Sequence, residues 1–330
     1  MIRLLLGQSQ IAISVIMRLN VQKKSLISSL SLLLVMLASP AYAQTLLELC
    51  TDQQCGISLE PVYTGEVFTN TRGGISTDGA THYQALLDLP LSIDFEQLDL
   101  PIPGKFFLLA QNTHGQGLTE DFVGDTQVLS NIDPANNINQ ISEYWWELGL
   151  WEENVLVRLG KQDINTEFLL LETATDFIHS AFGLSPAAGL PSYPDPSMAA
   201  VVLAKLTPQL TWKLGVWDGL GDGRTWGFSD NGVILTVSEL EYRYTLLGGN
   251  LPGILAAGIG YSNSGTIPEG DVPQAWGCYL QFEQLIFREG QCASESIQGL
   301  GIFAQYIPTF ADGVFPIPDI PADAVAGLVY

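Results

Sequence analysis

Residues 210–216 read L-T-W-K-L-G-V. In an extended chain Leu210, Trp212, Leu214 and Val216 fall on one face, and Thr211, Lys213 and Gly215 on the other. The same period of two returns at 239–244, where Glu239, Glu241 and Arg243 oppose Leu240, Tyr242 and Tyr244. At 280–286, Leu280, Phe282 and Ile286 oppose Gln281, Glu283 and Leu285, and Gln284 interrupts the apolar face. Working outward, alternating runs bounded by Gly, Pro, Asn and Asp clusters predict about twelve strands. They fall near 61–69, 80–95, 104–112, 139–150, 154–162, 198–206, 210–218, 232–246, 253–262, 275–288, 297–307 and 322–330. No helix longer than a turn or two is needed after residue 60.

The connections alternate in length. Long ones lie around 70–79, 113–138, 163–197, 219–231, 263–274 and 308–321, and shorter ones around 96–103, 151–153, 207–209, 247–252 and 289–296. A meander does this when one rim carries elaborate loops and the other only turns, as in outer-membrane barrels. A sandwich with Greek-key crossovers has no reason to do it. Aromatics at the predicted strand ends suit the girdles of such a barrel: Trp145, Trp146 and Trp151 at one short turn, Tyr242 and Tyr244 at another, and Trp217, Tyr261 and Trp276 at the opposite rim. The expected fold class is all-β, a transmembrane antiparallel β-barrel of the porin type, which satisfies every backbone donor and acceptor in lipid without an open edge.

Charge and the N-terminus narrow the compartment. Thirteen Lys and Arg against 35 Asp and Glu give a formal charge of −22, which excludes a nucleic-acid partner. From Met17 the chain reads M-R-L-N-V-Q-K-K, then an apolar run from Ser25 to Ser39, then P-A-Y-A at 40–43. A basic region, an apolar core shorter than the ~18–20 residues that span a bilayer, and an A-x-A site make a signal peptide, cut after Ala43. Residues 1–16 are superfluous to it, so translation is expected to begin at Met17. The chain divides into a signal peptide (1–43), a short N-terminal periplasmic segment (44–60) and the outer-membrane barrel (61–330).

Motifs of covalent chemistry are missing. His82, His114 and His179 stand alone, and no H-E-x-x-H, nucleophile elbow, P-loop or G-x-G-x-x-G occurs, so no catalytic residue, metal or cofactor is expected. The stretch D-G-L-G-D-G-R (Asp218 to Arg224), with Asp230 beyond it, misses the calcium-loop spacing and reads as a solvated rim loop. Cys50 and Cys55 either bridge within one turn or remain free thiols. Cys278 and Cys292 should not pair: the run Tyr279 to Arg288 reads as one strand whose ten residues span roughly 33 Å. A disulfide needs Cα atoms within ~7 Å.

Function then rests on the lumen. Arg158, Lys161, Lys205, Lys213, Glu239, Glu241, Arg243 and Glu283 alternate with apolar neighbours and are expected to face inward, since Arg or Lys on the lipid face near the midplane costs ~2–4 kcal/mol. The long 163–197 connection carries Asp163, Glu167, Phe168, Asp176, Phe177, His179, Phe182 and Tyr193, and is too apolar to stay in solvent. It either folds inward, where aromatic faces and polar groups would meet a sugar, or packs on a neighbouring subunit.

Eight strings in register resemble the carbohydrate-selective porins of the OprB type. They are Y-T-G-E-V-F-T-N-T-R-G-G (Tyr63 to Gly74), the run from Gln111 to Asp133, E-Y-W-W-E (Glu143 to Glu147), L-G-K-Q-D-I-N-T-E-F (Leu159 to Phe168), D-F-I-H-S-A-F-G (Asp176 to Gly183), P-S-Y-P-D-P (Pro191 to Pro196), G-V-W-D-G (Gly215 to Gly219) and Q-G-L-G-I-F-A-Q-Y (Gln298 to Tyr306). His179 stands where such porins more often carry Asn. The resemblance implies a barrel of about sixteen strands whose narrowed polar lumen passes neutral sugars by passive diffusion across outer-membrane lipid. It leaves open whether three barrels associate as a homotrimer. A general, cation-leaning diffusion pore and a secreted sugar-binding β-sandwich are the alternatives. Against about sixteen strands, twelve imply a chain that stops roughly four short at its C-terminus, with a smaller closed barrel of twelve as the other reading. The closing A-D-A-V-A-G-L-V-Y (Ala322 to Tyr330) resembles an internal strand of the family.

Overall fold

The computed structural model describes residues 2–6, 10–18, 56–125, 127–133, 136–175, 177–183, 190–219, 225–229, 232–263, 265–267, 270–272, 274–289, 299–308 and 322–330. Twelve strands form an antiparallel meander: β1 (Val62–Asn70), β2 (Thr81–Asp94), β3 (Lys105–Gly115), β4 (Asn139–Leu150), β5 (Val155–Gln162), β6 (Ser197–Lys205), β7 (Leu210–Asp218), β8 (Ile234–Leu246), β9 (Leu251–Ser262), β10 (Ala275–Arg288), β11 (Gly299–Pro308) and β12 (Ala322–Val329). Each pairs with the next, and each expected strand is found within a few residues of its predicted limits. The alternation of long and short connections is likewise present. A short strand, Ile57–Leu59, pairs with the end of β2. Strands Ile2–Leu6 and Gln10–Arg18 pair with each other, and the second pairs with β1. Residues 19–55, with the cleavage site after Ala43 and with Cys50 and Cys55, lie outside the described residues, as do Asp176, Asp222, Asp230 and Cys292.

The register puts the predicted faces where the period of two requires. Lys213 stands opposite Glu239 and Thr211 opposite Glu241, while Ile254 stands opposite Glu283. Lys213, Glu239, Glu241, Gln281, Glu283 and Gln305 are buried, whereas Leu240, Leu255, Ile259, Leu280 and Tyr306 are exposed. Charge inside and bare apolar surface outside invert the pattern of a soluble sandwich and match a wall that faces lipid. β10 departs once from the expected alternation. A bulge around Ile286 shifts its register against β11 and leaves both Gln284 and Leu285 buried.

The wall curls around its own longest connection. Phe177 packs edge-on against Phe303 of β11 at 5.5 Å, while the next residue, Ile178, is buried with Phe68 of β1. In a flat sheet of this strand order β1 and β11 would lie roughly 50 Å apart, so adjacent residues reach both only if the sheet is rolled. The described residues of the 163–196 connection therefore run inside. A second long connection backs it: Leu118, Phe122 and Val123 join the Phe68 and Ile178 cluster, and Asn70 donates to the carbonyls of Gly73, Ser76 and Phe122. Apolar burial at this site thus belongs to the inward loops, where the core gathers Ile164, Phe168, Leu169, Trp217 and Tyr279.

Candidate functional site

Two glycines open the wall for that core. A Cβ on Gly215 would lie 2.0 Å from the Trp217 ring, and one on Gly258 would lie 2.1 Å from the Tyr279 ring. Their absence lets both rings lie along the wall. Trp217 then meets Phe168 edge-on at 5.4 Å, and the Tyr279 hydroxyl crosses β9 to donate to Glu239 at 2.5 Å.

The loop leaves β5 at Asp163, a half-buried carboxylate that caps the turn Ile164–Thr166 by accepting the Asn165 amide at 2.7 Å and that also accepts the Tyr193 amide at 2.8 Å. Burial pushes its carboxyl above the usual carboxylate range, against the pull of those donors. The backbone that follows is held strand by strand. Lys213 on β7 donates to the Glu167 carbonyl at 2.8 Å, Gln305 on β11 to that of Leu169 at 3.2 Å and Gln281 on β10 to that of Leu170 at 3.0 Å. Glu283 accepts the amides of Glu172 and Thr173 and the Thr173 hydroxyl.

Between this strap and the wall lies a cavity of about 170 Å³. Seven expected lumen residues line it together: Glu167, Lys205, Lys213, Glu239, Glu241, Arg243 and Glu283. Lys213 bridges Glu239 at 2.8 Å and Glu241 at 2.7 Å, and Arg243 bridges Glu241 and Glu172, each at 2.5 Å. Arg158 adjoins the cavity through Glu167 and also pairs with Glu147, both at 2.7 Å, with its guanidinium 4.5 Å over the Trp145 ring. Lys205 is exposed at the strand end.

The other expected residues take different places. Lys161 lies three positions after Arg158, an offset that strict alternation would put on the opposite face. It is buried, with its ammonium donating to the Ile141 carbonyl at 3.3 Å. Phe168 is wholly buried and anchors the loop. Phe177 and Phe182 stack at 4.4 Å and lean on Phe303. His179 caps the turn Ser180–Phe182, its Nδ1 accepting the Ala181 amide at 3.1 Å, and burial lowers its pKa against the opposing pull of Asp125. Tyr193 donates to the Ile132 carbonyl.

Sequence reasoning missed Glu172, Glu147, Gln281 and Gln305, and put Trp145 and Trp217 in the outer girdle, whereas Trp217 is buried in the core beside Phe168. Trp145 in fact stacks on Phe107 beside Arg158, on the inner side, while Trp146 stacks on Phe95 and donates to the Pro103 carbonyl. Neighbours in a strand point to opposite faces, so a Trp-Trp pair cannot supply two girdle residues; that signal was present in the sequence. The loop's partners had no such signal, because each lies on a strand distant in the chain.

Comparison with known proteins agrees with this architecture. A family model for "Carbohydrate-selective porin, OprB family" matches residues 80–319. Among solved structures, the high-pH structure of Pseudomonas putida OprB aligns with a TM-score of 0.67 at 19% identity, covering 81% of this chain and 68% of that one. The low-pH structure of the same protein aligns with a TM-score of 0.47 at 14% identity, covering 81% and 69%. No curated protein matches the sequence. With most of its length matched by the family and its wall superposing on that of a porin, the chain belongs to the carbohydrate-selective porin OprB family.

Proposed function

We propose that this protein is an outer-membrane porin through which neutral sugars diffuse passively, past a lumen narrowed by the 163–196 loop. The observation that carries the reading is the strap itself. A buried, many-point attachment of a long loop to inner wall residues is an unusual use of apolar and charged groups unless the bore must be narrow. Arg158, Glu167, Lys205, Lys213, Glu239, Glu241 and Arg243 form the polar side of the path, which requires neither catalysis nor a cofactor. Passage selects by width and by hydrogen bonding to hydroxyls. The signal peptide remains part of the reading: cleavage after Ala43 removes strands Ile2–Leu6 and Gln10–Arg18, and the mature protein should begin at Gln44 by N-terminal sequencing.

Liposome swelling tests the function directly. Vesicles carrying the purified protein should swell faster in neutral monosaccharides than in salts of similar size. Equal or faster entry of salts, with cations preferred, would favour the general cation-leaning pore, a reading that the acidic lining Glu153, Glu167, Glu172, Glu239, Glu241 and Glu283 supports.

A further inference from the structure

We propose that Glu283 is the positioning residue that sets the bore, by holding the inward loop rather than by touching the solute. The inference rests on the porin reading and deepens it. Glu283 sits on β10 and is 3% exposed, and its two oxygens meet three donors from one point of the loop. Oε1 accepts the Glu172 amide at 3.0 Å; Oε2 accepts the Thr173 amide at 2.6 Å and the Thr173 hydroxyl at 2.5 Å. These donors lie 110 and 111 residues away in sequence, so the carboxylate joins the loop to a distant stretch of wall.

The other ties are of different strength. Gln281 and Gln305 make single neutral bonds to carbonyls. Arg243 and Glu172 are both about half exposed, where an ion pair contributes little. Lys213 is a charged donor to the loop, but it holds the backbone earlier, at Glu167, and spends its remaining protons on Glu239 and Glu241. Among the described residues, Glu283 alone offers a buried carboxylate to backbone amides of the 170–175 stretch, the strong form of such a bond. A glutamine there presents one acceptor oxygen and turns an N–H₂ toward donors. The turn Glu172–Ala174 would then lose its hold, and the strap would swing from the wall.

The test uses the full chain with Glu283→Gln, Glu283→Asp and Thr173→Val, read by amide exchange and by planar-bilayer recording. In Glu283→Gln the Glu172 and Thr173 amides should lose protection by about tenfold or more. Channel current should rise and become noisier, and the trisaccharide raffinose should enter liposomes faster relative to glucose. Heat-modifiable migration in detergent gels should be unchanged, because no wall hydrogen bond is removed. Glu283→Asp, which keeps the charge but shortens the reach, and Thr173→Val, which removes one donor of three, should fall between and cover the case of a Gln variant that fails to fold. Unchanged protection with an unchanged raffinose-to-glucose ratio would overturn the proposal. A wild-type protein that passes no sugar would overturn the porin reading, while amide exchange alone would still decide whether Glu283 holds the loop.

Discussion

Phe168→Ala should release the near half of the inward loop while leaving the wall intact. Phe168 is wholly buried among Ile164, Leu169, Trp217 and Tyr279, and its ring meets Trp217 edge-on at 5.4 Å. Truncating a buried Phe costs ~3–5 kcal/mol, and the aromatic pair adds about 0.5–1.5 kcal/mol. The polar ties to the same segment, from Lys213, Gln281 and Gln305, contribute roughly 0.5–1.5 kcal/mol each when neutral and somewhat more for the lysine. The ring is therefore worth about as much as all three, and its loss should weaken docking by roughly 2.5 to 4.5 orders of magnitude. Amide exchange on protein reconstituted in liposomes reads this at Glu167 and Phe168, whose amides donate to the Ile164 carbonyl. Their protection should collapse while β7 and β8 stay protected, and single-channel current should rise. Loss of protection at the same rate throughout the sheet would show that loop and wall are one cooperative unit. No change at 164–170 would refute the apolar anchor altogether.

Arg158→Ala should destabilise by about 3–5 kcal/mol in thermal unfolding, because it strands Glu147 and Glu167, carboxylates with side chains only 14% and 23% exposed, without their shared cation. Reversal potentials in a salt gradient should shift toward cations in the same variant. The cap at His179 should weaken in acid. Its folded pKa lies below the unfolded value near 6.5, so the unfolded loop takes up the proton first; the contribution is full above about pH 6.5 and is lost as pH falls toward the folded value. Exchange at Ala181, corrected for its intrinsic rate, should show that loss in wild type and not in His179→Asn, whose side chain caps without titrating. Leu280→Arg, on the bare outer face, should cost ~2–4 kcal/mol in equilibrium folding into liposomes if it sits near the midplane, whereas a cost near zero would place it outside the lipid band.

Twelve strands, their faces and the alternation of rims were legible along the chain because each is a local property. A period of two tells Lys213 from Trp212, and Gly, Pro and Asn clusters mark where each strand stops. The same period also carried the correct sides of Trp145 and Trp146, which grouping residues by type alone obscured. The bulge at Ile286 had only a faint trace, the polar Gln284 on an apolar face. What the sequence by itself determined was therefore an inside-out antiparallel wall with one long apolar loop beside it. Only the tertiary structure decided that Phe168 is buried as an anchor, that Phe177 packs on Phe303, and that Lys213 and Glu283 grip the backbone of residues 167 and 172–173. Those partners lie 46 to 111 residues apart, and nothing in a strand's own pattern says which distant loop will lie across it. Rolling the sheet brings them together, and the donors and acceptors left over inside then select one another.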